Sequence, residues 1–386
     1  MSIDEAKLNA FLGKAVGDLG AVFSAALVTI GDELGLYKAL ASETLTPAQL
    51  AARTHTNERY VREWLGNQAA GGYVEYDADA GTYRLNEEQA LCLADPDGPV
   101  DLPGAYEVAQ ALFHAYPHAR DNFRTGVGME WGEHHPCLFR DTERFFRAGY
   151  NANLLNSWLP ALDGVVAKLQ RGARAADVGC GHGASTLLMA KAFPESEFIG
   201  YDYHAPSIDV ARKRAVAADV KNAHFEQADA SSYQGRDFDL IAFFDCLHDM
   251  AAPDSAARHA REALHDDGTC MIVEPFAGDS TPENLNPVGR VYYAASSLIC
   301  VPVSLARHGP ALGAQAGEAR LRKVVVDAGG FSHFPRAAQT PFNLVLEARP
   351  WARPAIRPSP TATQRVSARW RALQRRVHRI LTRPMP

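Results

Sequence analysis

The chain has 386 residues, 47% of them hydrophobic and 22% charged, with a formal charge of −6. That length exceeds the roughly 100 to 200 residues of a typical domain, so two domains with ample apolar material for their cores are expected. Neither a run of about 18 apolar residues nor a basic, apolar, small-residue leader is present, which gives the expectation of a cytoplasmic protein. The six cysteines, Cys92, Cys137, Cys180, Cys246, Cys270 and Cys300, are scattered without a CxxC pair, so neither a disulfide framework nor a zinc ribbon is indicated. Residues 350–386 hold nine arginines and no acid, leaving the remainder at −15, thirty basic residues against all 45 acidic ones. A body of that sign has no general attraction for nucleic-acid phosphates.

Residues 4–41 predict two helices broken near Gly17 and Gly20. The second, with Val22, Phe23, Ala26, Leu27, Ile30, Leu34 and Leu36, is apolar over more than one face and needs a partner on two sides, as in a homodimer. Thr46-Pro47 then starts a helix with an N-cap and a proline at the first position, and Thr56-Asn57 starts another, which Gly71-Gly72 ends. Tyr73–Tyr76 and Thr82–Leu85 read as a hairpin. Helix, turn, helix, hairpin is the order of a winged helix. Such a module either places its second helix in a DNA groove or is reused as a scaffold for dimerisation and for covering an active site. Arg59 and Arg62 against Glu58 and Glu63, with an acidic hairpin tip, favour the scaffold.

Pro96 to Pro103 is rich in proline, glycine and aspartate and marks a boundary, after which a helical connector follows. Its middle, residues 126–139, is a loop dense in aromatic and titratable side chains. Trp131, His134 and His135 are candidates for substrate contact, with interface packing as the alternative. Glu133, His134, His135 and Cys137 lack a helical i, i+4 arrangement, so no metal site is expected. The helical pattern from Asn151 to Leu169 carries a broad apolar face, and Asn151 and Asn153 are placed to look into a cleft.

The centre of the chain is Asp177-Val178-Gly179-Cys180-Gly181-His182-Gly183, between a short apolar strand and a helix. Glycines at alternate positions let the backbone turn where side chains would collide with a ligand, and the following helix offers free N–H groups. The spacing also satisfies the dinucleotide fingerprint, which keeps an NAD(P)-dependent oxidoreductase as an alternative. Asp177, two residues before the first glycine, argues against it: a carboxylate there repels a pyrophosphate but accepts hydrogen bonds from an ammonium group. On this motif the chain resembles the class I S-adenosylmethionine-dependent methyltransferases. The run from Gly179 to Thr186, with Tyr201–His204 and Ala311–Ala319, further resembles actinobacterial methyltransferases with an N-terminal winged helix, a likeness that supplies no acceptor.

Strands and helices alternate from residue 173 to residue 274, which calls for a parallel sheet covered on both faces. Phe331–Phe334 and Asn343–Ala348, with no helix between them, read as an antiparallel hairpin closing it, as the methyltransferase resemblance implies. The fold class is therefore α/β: a Rossmann-like, seven-stranded methyltransferase sheet with an N-terminal winged-helix domain. The expected domains are 1–95 (winged helix and dimerisation), 96–170 (connector and cleft elements), 171–349 (cofactor binding and catalysis) and 350–386 (basic tail). That tail is either a solvated extension or a surface for an anionic membrane or acidic partner.

Ligands of such sheets sit beyond the carboxyl ends of the strands. The candidates there are Asp177, Gly179, Gly181 and Gly183 for the methionine part of S-adenosyl-L-methionine, Asp202 for the ribose hydroxyls and Tyr203 for the adenine face. Asp229 and Ala230 stand at the adenine amino group, and Asp245 and Cys246 beside the methyl donor. Methyl transfer to a hydroxyl also needs a base, and histidine suits that task near neutrality. His248-Asp249 matches the first two positions of the His-Asp-Trp motif of the O-methyltransferases that the chain resembles, while Met250 departs from the third. His248 is then either the base or a cap of the next helix. Glu274 either orients it or caps a turn. Tyr292, in an apolar insertion spanning 276–316, is expected to wall the pocket of a small, largely hydrophobic acceptor.

Overall fold

A computed structural model of the protein describes residues 3–350 and, beyond them, Val377 alone. The basic tail expected from Pro350 onward otherwise lies outside the described residues. The described residues form two compact units: residues 3–113 with 140–152, and residues 114–139 with 153–350. Residues 96–170 fall partly in each unit.

In the first unit the Asp4 carboxylate caps the helix Glu5–Glu33 by accepting from the N–H groups of Ala6 and Lys7. This helix is continuous, which corrects the expected break near Gly17 and Gly20. A helical glycine costs only about 1 kcal/mol, a penalty a long, capped helix tolerates. The interruption comes instead at Gly35, whose φ of +68° starts the helix Leu36–Ser42 in a new direction. Helices Pro47–Thr54 and Glu58–Ala70 follow, then the hairpin of β1 (Glu75–Asp77) and β2 (Thr82–Arg84). The Thr46/Gln49 capping box holds the first of these helices at its start. Val28, Tyr37, Leu40, Leu50, Trp64 and Leu65 make the unit's core, and the Trp64 indole N–H donates to the carbonyl of Leu27 at 2.7 Å. Arg144 is tied to Asp101 at 2.6 Å, Asp32 at 2.7 Å and Glu107 at 2.8 Å, all within this unit.

The second unit is built on a seven-stranded sheet of order β5-β4-β3-β6-β7-β9-β8. The strands are β3 (Arg174–Val178), β4 (Glu197–Asp202), β5 (Ala223–Gln227), β6 (Phe238–Phe244), β7 (Leu264–Pro275), β8 (Arg336–Gln339) and β9 (Asn343–Ala348). The first five in spatial order are parallel; β9 runs antiparallel to β7, and β8 to β9. The closing hairpin uses Arg336–Gln339, not Phe331–Phe334 as the sequence suggested. Phe331 and Phe334 are buried in the core instead, where their rings remove more apolar surface from water than an edge strand would. The strands β3, β6 and, from Gly268 onward, β7 are buried almost throughout, as a sheet covered on both faces requires.

The insertion between β7 and β8 is largely helical. Pro287–Ala295 runs through a wide turn at Ser296–Cys300 into Val301–Ala306. Its buried face carries Val288, Tyr292, Ser296, Ile299, Cys300 and Val303. Widened turns of this kind are frequent where a helix must aim a side chain at a site.

Candidate functional site

The strand order reverses between β3 and β4 on one side and β6 on the other, and the glycine turn leaves β3 at that point. The N–H groups of Gly179 and Cys180 both donate to the carbonyl of Tyr201, at 2.7 and 3.0 Å. All three glycines have positive φ, but for different spatial reasons. A Cβ on Gly179 would stand 2.6 Å from the Cys246 sulfur, and one on Gly183 would stand 2.7 Å from the Phe225 ring. At Gly181 a Cβ would meet nothing within 4 Å. Two of the glycines thus permit packing, while the third opens onto the crevice.

Asp177 is buried at the base of this turn. Its Oδ2 accepts hydrogen bonds from Ser185 Oγ and Thr186 Oγ1, both at 2.6 Å. Burial pushes its pKa up to about 6, against those two hydroxyls, which lower it. Its Oδ1 is buried without a hydrogen-bond partner. Asp202, at the end of β4, accepts from Gly181 N–H at 2.9 Å and His204 N–H at 2.8 Å, so it fastens the glycine turn to the next strand. Burial raises its pKa as well. Beside it, the Tyr203 hydroxyl is buried without a partner.

At the third strand end, Asp229 accepts from the N–H and hydroxyl of Ser231 and from Arg307 at 3.0 Å. Burial opposes its charge, but these bonds win and hold its pKa below the ordinary carboxylate range. The same Arg307 guanidinium lies over the Tyr203 ring, 4.9 Å from its centre. Sequence reasoning missed Arg307, which lies 78 positions from Asp229 in an apolar insertion. Ala230 is half-buried and packs against the apolar core.

The fourth strand end carries the titratable groups. Asp245 follows β6 with φ of +52°, a conformation that costs a non-glycine residue of order 1 kcal/mol and that clusters at functional sites. Asn343 donates to its Oδ1 at 2.9 Å, while Oδ2 is buried without a partner. Burial and the nearby Glu274 carboxylate raise its pKa strongly. The Cys246 thiol lies 3.2 Å from the carbonyl of Val178, beneath Gly179.

His248 is buried, with Nδ1 2.7 Å from Glu274 Oε2 and Nε2 3.3 Å from Cys300 Sγ. The other Glu274 oxygen accepts the N–H of Leu247 at 3.0 Å. With both oxygens engaged on the His248 turn, Glu274 fixes the ring. Burial alone would lower the His248 pKa, but the Glu274 carboxylate and the Cys300 sulfur together outweigh it and the result lies well above the ordinary histidine range. Asp249 is raised to about 7 by burial. Tyr292 is buried and donates its hydroxyl to the carbonyl of Phe342 at 2.7 Å, so it presents a ring rather than a hydrogen bond to its surroundings.

The loop 126–139 is built into the second unit. Met129 N–H donates to the carbonyl of Pro302 at 3.0 Å, and Gly128, with φ of +91°, has the backbone of the helix Val301–Ala306 where a Cβ would stand. Trp131 packs on Phe139, and Phe139 on His204 at 4.7 Å between ring centres. Trp131 is therefore placed toward the Asp202 end of the crevice. His134 is buried, its pKa pushed down to about 4 by desolvation, while His135 is exposed. Asn153 is buried in the second unit, and Asn151 belongs to the first.

These features fit S-adenosylmethionine. The Asp177, Tyr203 and Asp245 side chains each bring a buried oxygen with an unused hydrogen-bonding capacity to the strand ends, and the turn opens at Gly181.

The family described as Methyltransferase domain matches residues 169–309, and the Rv2258c-like winged HTH domain matches residues 22–95. A tRNA (guanine-N(7)-)-methyltransferase of Shewanella frigidimarina is 44% identical over 54 residues, a match spanning 14% of this chain and 23% of that protein. Solved structures agree over far more of the chain. Human N-acetylserotonin methyltransferase in complex with SAM has a TM-score of 0.64 at 15% identity, over 90% of this chain and 98% of its own. An O-methyltransferase family protein from Burkholderia thailandensis gives 0.63 at 16% identity, over 90% and 99%. The mitomycin 7-O-methyltransferase gives 0.61 at 18% identity, over 90% and 100%. At such identities the structural likeness establishes the fold, and the domain match carries the activity class. The chain thus carries an S-adenosylmethionine-dependent methyltransferase domain, joined to an Rv2258c-like winged helix-turn-helix domain.

Proposed function

We propose that the protein transfers a methyl group to an oxygen of a small, largely hydrophobic organic acceptor, with His248 as the base. The observation that carries this reading is the buried His248–Glu274 pair, 2.7 Å apart, on the turn whose Cys246 underlies Gly179. S-adenosylmethionine supplies an electrophilic methyl group on a sulfonium. The protein must align the acceptor, exclude water and accept its proton. Glu274 holds the imidazole with Nε2 directed toward Cys300, so an acceptor hydroxyl would take the place of that thiol contact. The Tyr292 ring and the apolar face beside it favour an apolar acceptor body. Two of the structurally similar proteins are named as methylating N-acetylserotonin and the 7-oxygen of mitomycin, both small organic molecules, which supports this acceptor class.

In the same reading Asp177, Asp202, Tyr203, Asp229, Asp245 and the glycine turn hold the cofactor. The helix Glu5–Glu33 mediates a homodimer, because Phe11, Leu12, Leu19, Val22 and Phe23 on it are exposed. This helix and Pro287–Ala306 are each long and apolar enough to cross a membrane by length and composition. The second of them supplies the buried face described above, and the first carries an exposed Lys14–Asp18 ion pair at 2.7 Å. A cytoplasmic dimer accommodates both. On the winged helix, Arg59 and Arg62 are paired with Glu63 and Glu58, which supports a scaffold role over phosphate contact.

The test is a methylation assay with labelled S-adenosylmethionine across small phenols and hydroxylated aromatics, run on the wild type and on His248→Gln. Oxygen-linked product in the wild type alone supports the reading. Product formed at equal rates by both removes the base role.

A further inference from the structure

The geometry points to a binding site for a thiophilic divalent cation of the zinc class, formed by His114, His135 and Cys137 and lying outside the crevice. His114 stands on the helix Leu102–Thr125, whereas His135 comes from the loop that follows and Cys137 is the first residue of the next helix, Cys137–Asn153. One ligand atom from each residue lies within 4.8 Å of the other two. His135 Nδ1 is 2.9 Å from Cys137 Sγ, and the two imidazoles are stacked 4.1 Å apart with their planes 11° from parallel.

Two imidazoles and a thiol are the donor set that zinc takes at about 2.0–2.1 Å to nitrogen and about 2.3 Å to sulfur. Tetrahedral angles then put neighbouring ligand atoms roughly 3.3–3.7 Å apart. The widest separation, at most 4.8 Å, must shrink by roughly 1.1–1.5 Å and the 2.9 Å approach of His135 to Cys137 must open by roughly half an ångström to reach that spacing, and the rings of His114 and His135 are exposed. Both rings and the half-buried thiol reach solvent, so water can enter and complete the fourth position.

The surrounding segment is enriched in such donors. His114, His118, His134, His135 and Cys137 fall within 24 residues, and buried His134 has an Nε2 atom without a partner. Along the sequence the adjacent residues of the loop cannot converge on one ion. The tertiary structure brings in His114 from the preceding helix. Binding would tie the two ends of the segment 115–134 together, and that segment carries Trp131, which packs through Phe139 onto His204 beside Asp202. The ion would therefore brace the wall next to the glycine turn.

The experiment is a Co²⁺ titration of the metal-stripped full-length protein, followed by absorption, with Zn²⁺ competition and thermal melting. One equivalent per chain is expected, with the d–d bands of tetrahedral cobalt and a thiolate-to-cobalt charge-transfer band, both abolished by Zn²⁺. Cys137→Ser should lose the charge-transfer band, and His114→Ala should weaken binding at least tenfold. Zn²⁺ should raise the melting temperature of the wild type but of neither variant. Absence of cobalt binding by the intact chain overturns the proposal. A charge-transfer band that survives Cys137→Ser, or an affinity unchanged by His114→Ala, does so too, by assigning the ion to other residues. S-adenosylhomocysteine binding by each variant shows that it is folded.

Discussion

Nδ1 of His248 lies 2.7 Å from Oε2 of Glu274, while the second Glu274 oxygen accepts the N–H of Leu247. The carboxylate thus fixes both the backbone of the turn and the tautomer of the ring, leaving Nε2 as the atom that can take a proton. Replacing His248 with glutamine should lower turnover on the order of 10²-fold or more, with S-adenosylhomocysteine affinity unchanged. Glu274→Gln should also lower turnover, since an amide can bond the ring but stabilises its charged form far less. Single-turnover rates alongside calorimetric titration separate these effects, and a variant with full turnover would remove its residue from the mechanism.

The pH dependence follows from the same pair. Burial opposes the His248 charge, but the Glu274 carboxylate, joined by the Cys300 sulfur, prevails and raises its pKa above the ordinary value. Only the neutral ring can accept the acceptor's proton, so kcat/KM should rise with pH through a pKa above about 6.5, the reference value for histidine. In Glu274→Gln this limb should move to lower pH. For stability the sign runs the other way. A raised folded-state pKa adds stability that is full below the unfolded value and is lost as pH rises through the folded one. A limb that stays in place in Glu274→Gln would assign it to another group.

The three glycines of the turn should respond differently to alanine. Gly179→Ala brings a Cβ to 2.6 Å from the Cys246 sulfur and Gly183→Ala to 2.7 Å from the Phe225 ring, so both should lower the melting temperature. Gly181→Ala meets nothing within 4 Å. It should cost only about 1 kcal/mol for its positive φ, yet weaken S-adenosylhomocysteine binding at least tenfold, because the methyl group stands in the crevice. Full cofactor affinity in Gly181→Ala would mean that the ligand passes elsewhere.

The exposed face of the helix Glu5–Glu33 should be the dimer contact. Phe11 and Phe23 are 67% and 74% exposed, fractions that leave most of each ring in water in the single chain. Phe11→Asp with Phe23→Asp should convert a dimer into a monomer in light scattering without changing the circular dichroism of the fold. A double variant that remains dimeric places the interface on another surface.

Arg144 holds three carboxylates, Asp101, Asp32 and Glu107, with little exposure to solvent. Arg144→Met keeps most of the volume but leaves those charges without a counterion. Breaking a buried pair from one side typically costs about 3–5 kcal/mol, so urea unfolding of the first unit should shift by that order. A shift below about 1 kcal/mol would show the network to be solvated, as surface pairs are.

The winged helix, the parallel sheet and the glycine turn were legible in the sequence because each is written in local chemistry. Thr46 and Gln49 cap a helix from within one turn of it, apolar runs mark β3 and β6, and Gly179, Gly181 and Gly183 take left-handed backbone that other residues avoid. Local signals were also where the reading failed. Gly17 and Gly20 read as a break but lie inside one helix, since a glycine penalty is small beside a whole helix. Phe331 and Phe334 read as a strand but are drawn into the core by their size. What only the tertiary structure decided is who stands opposite whom. Asn343 reaches Asp245 from 98 positions away, Arg307 reaches Asp229 from 78 and Cys300 reaches His248 from 52. Contacts at such separations are made by packing helices and strands into one unit, and no periodicity or spacing along the chain encodes them.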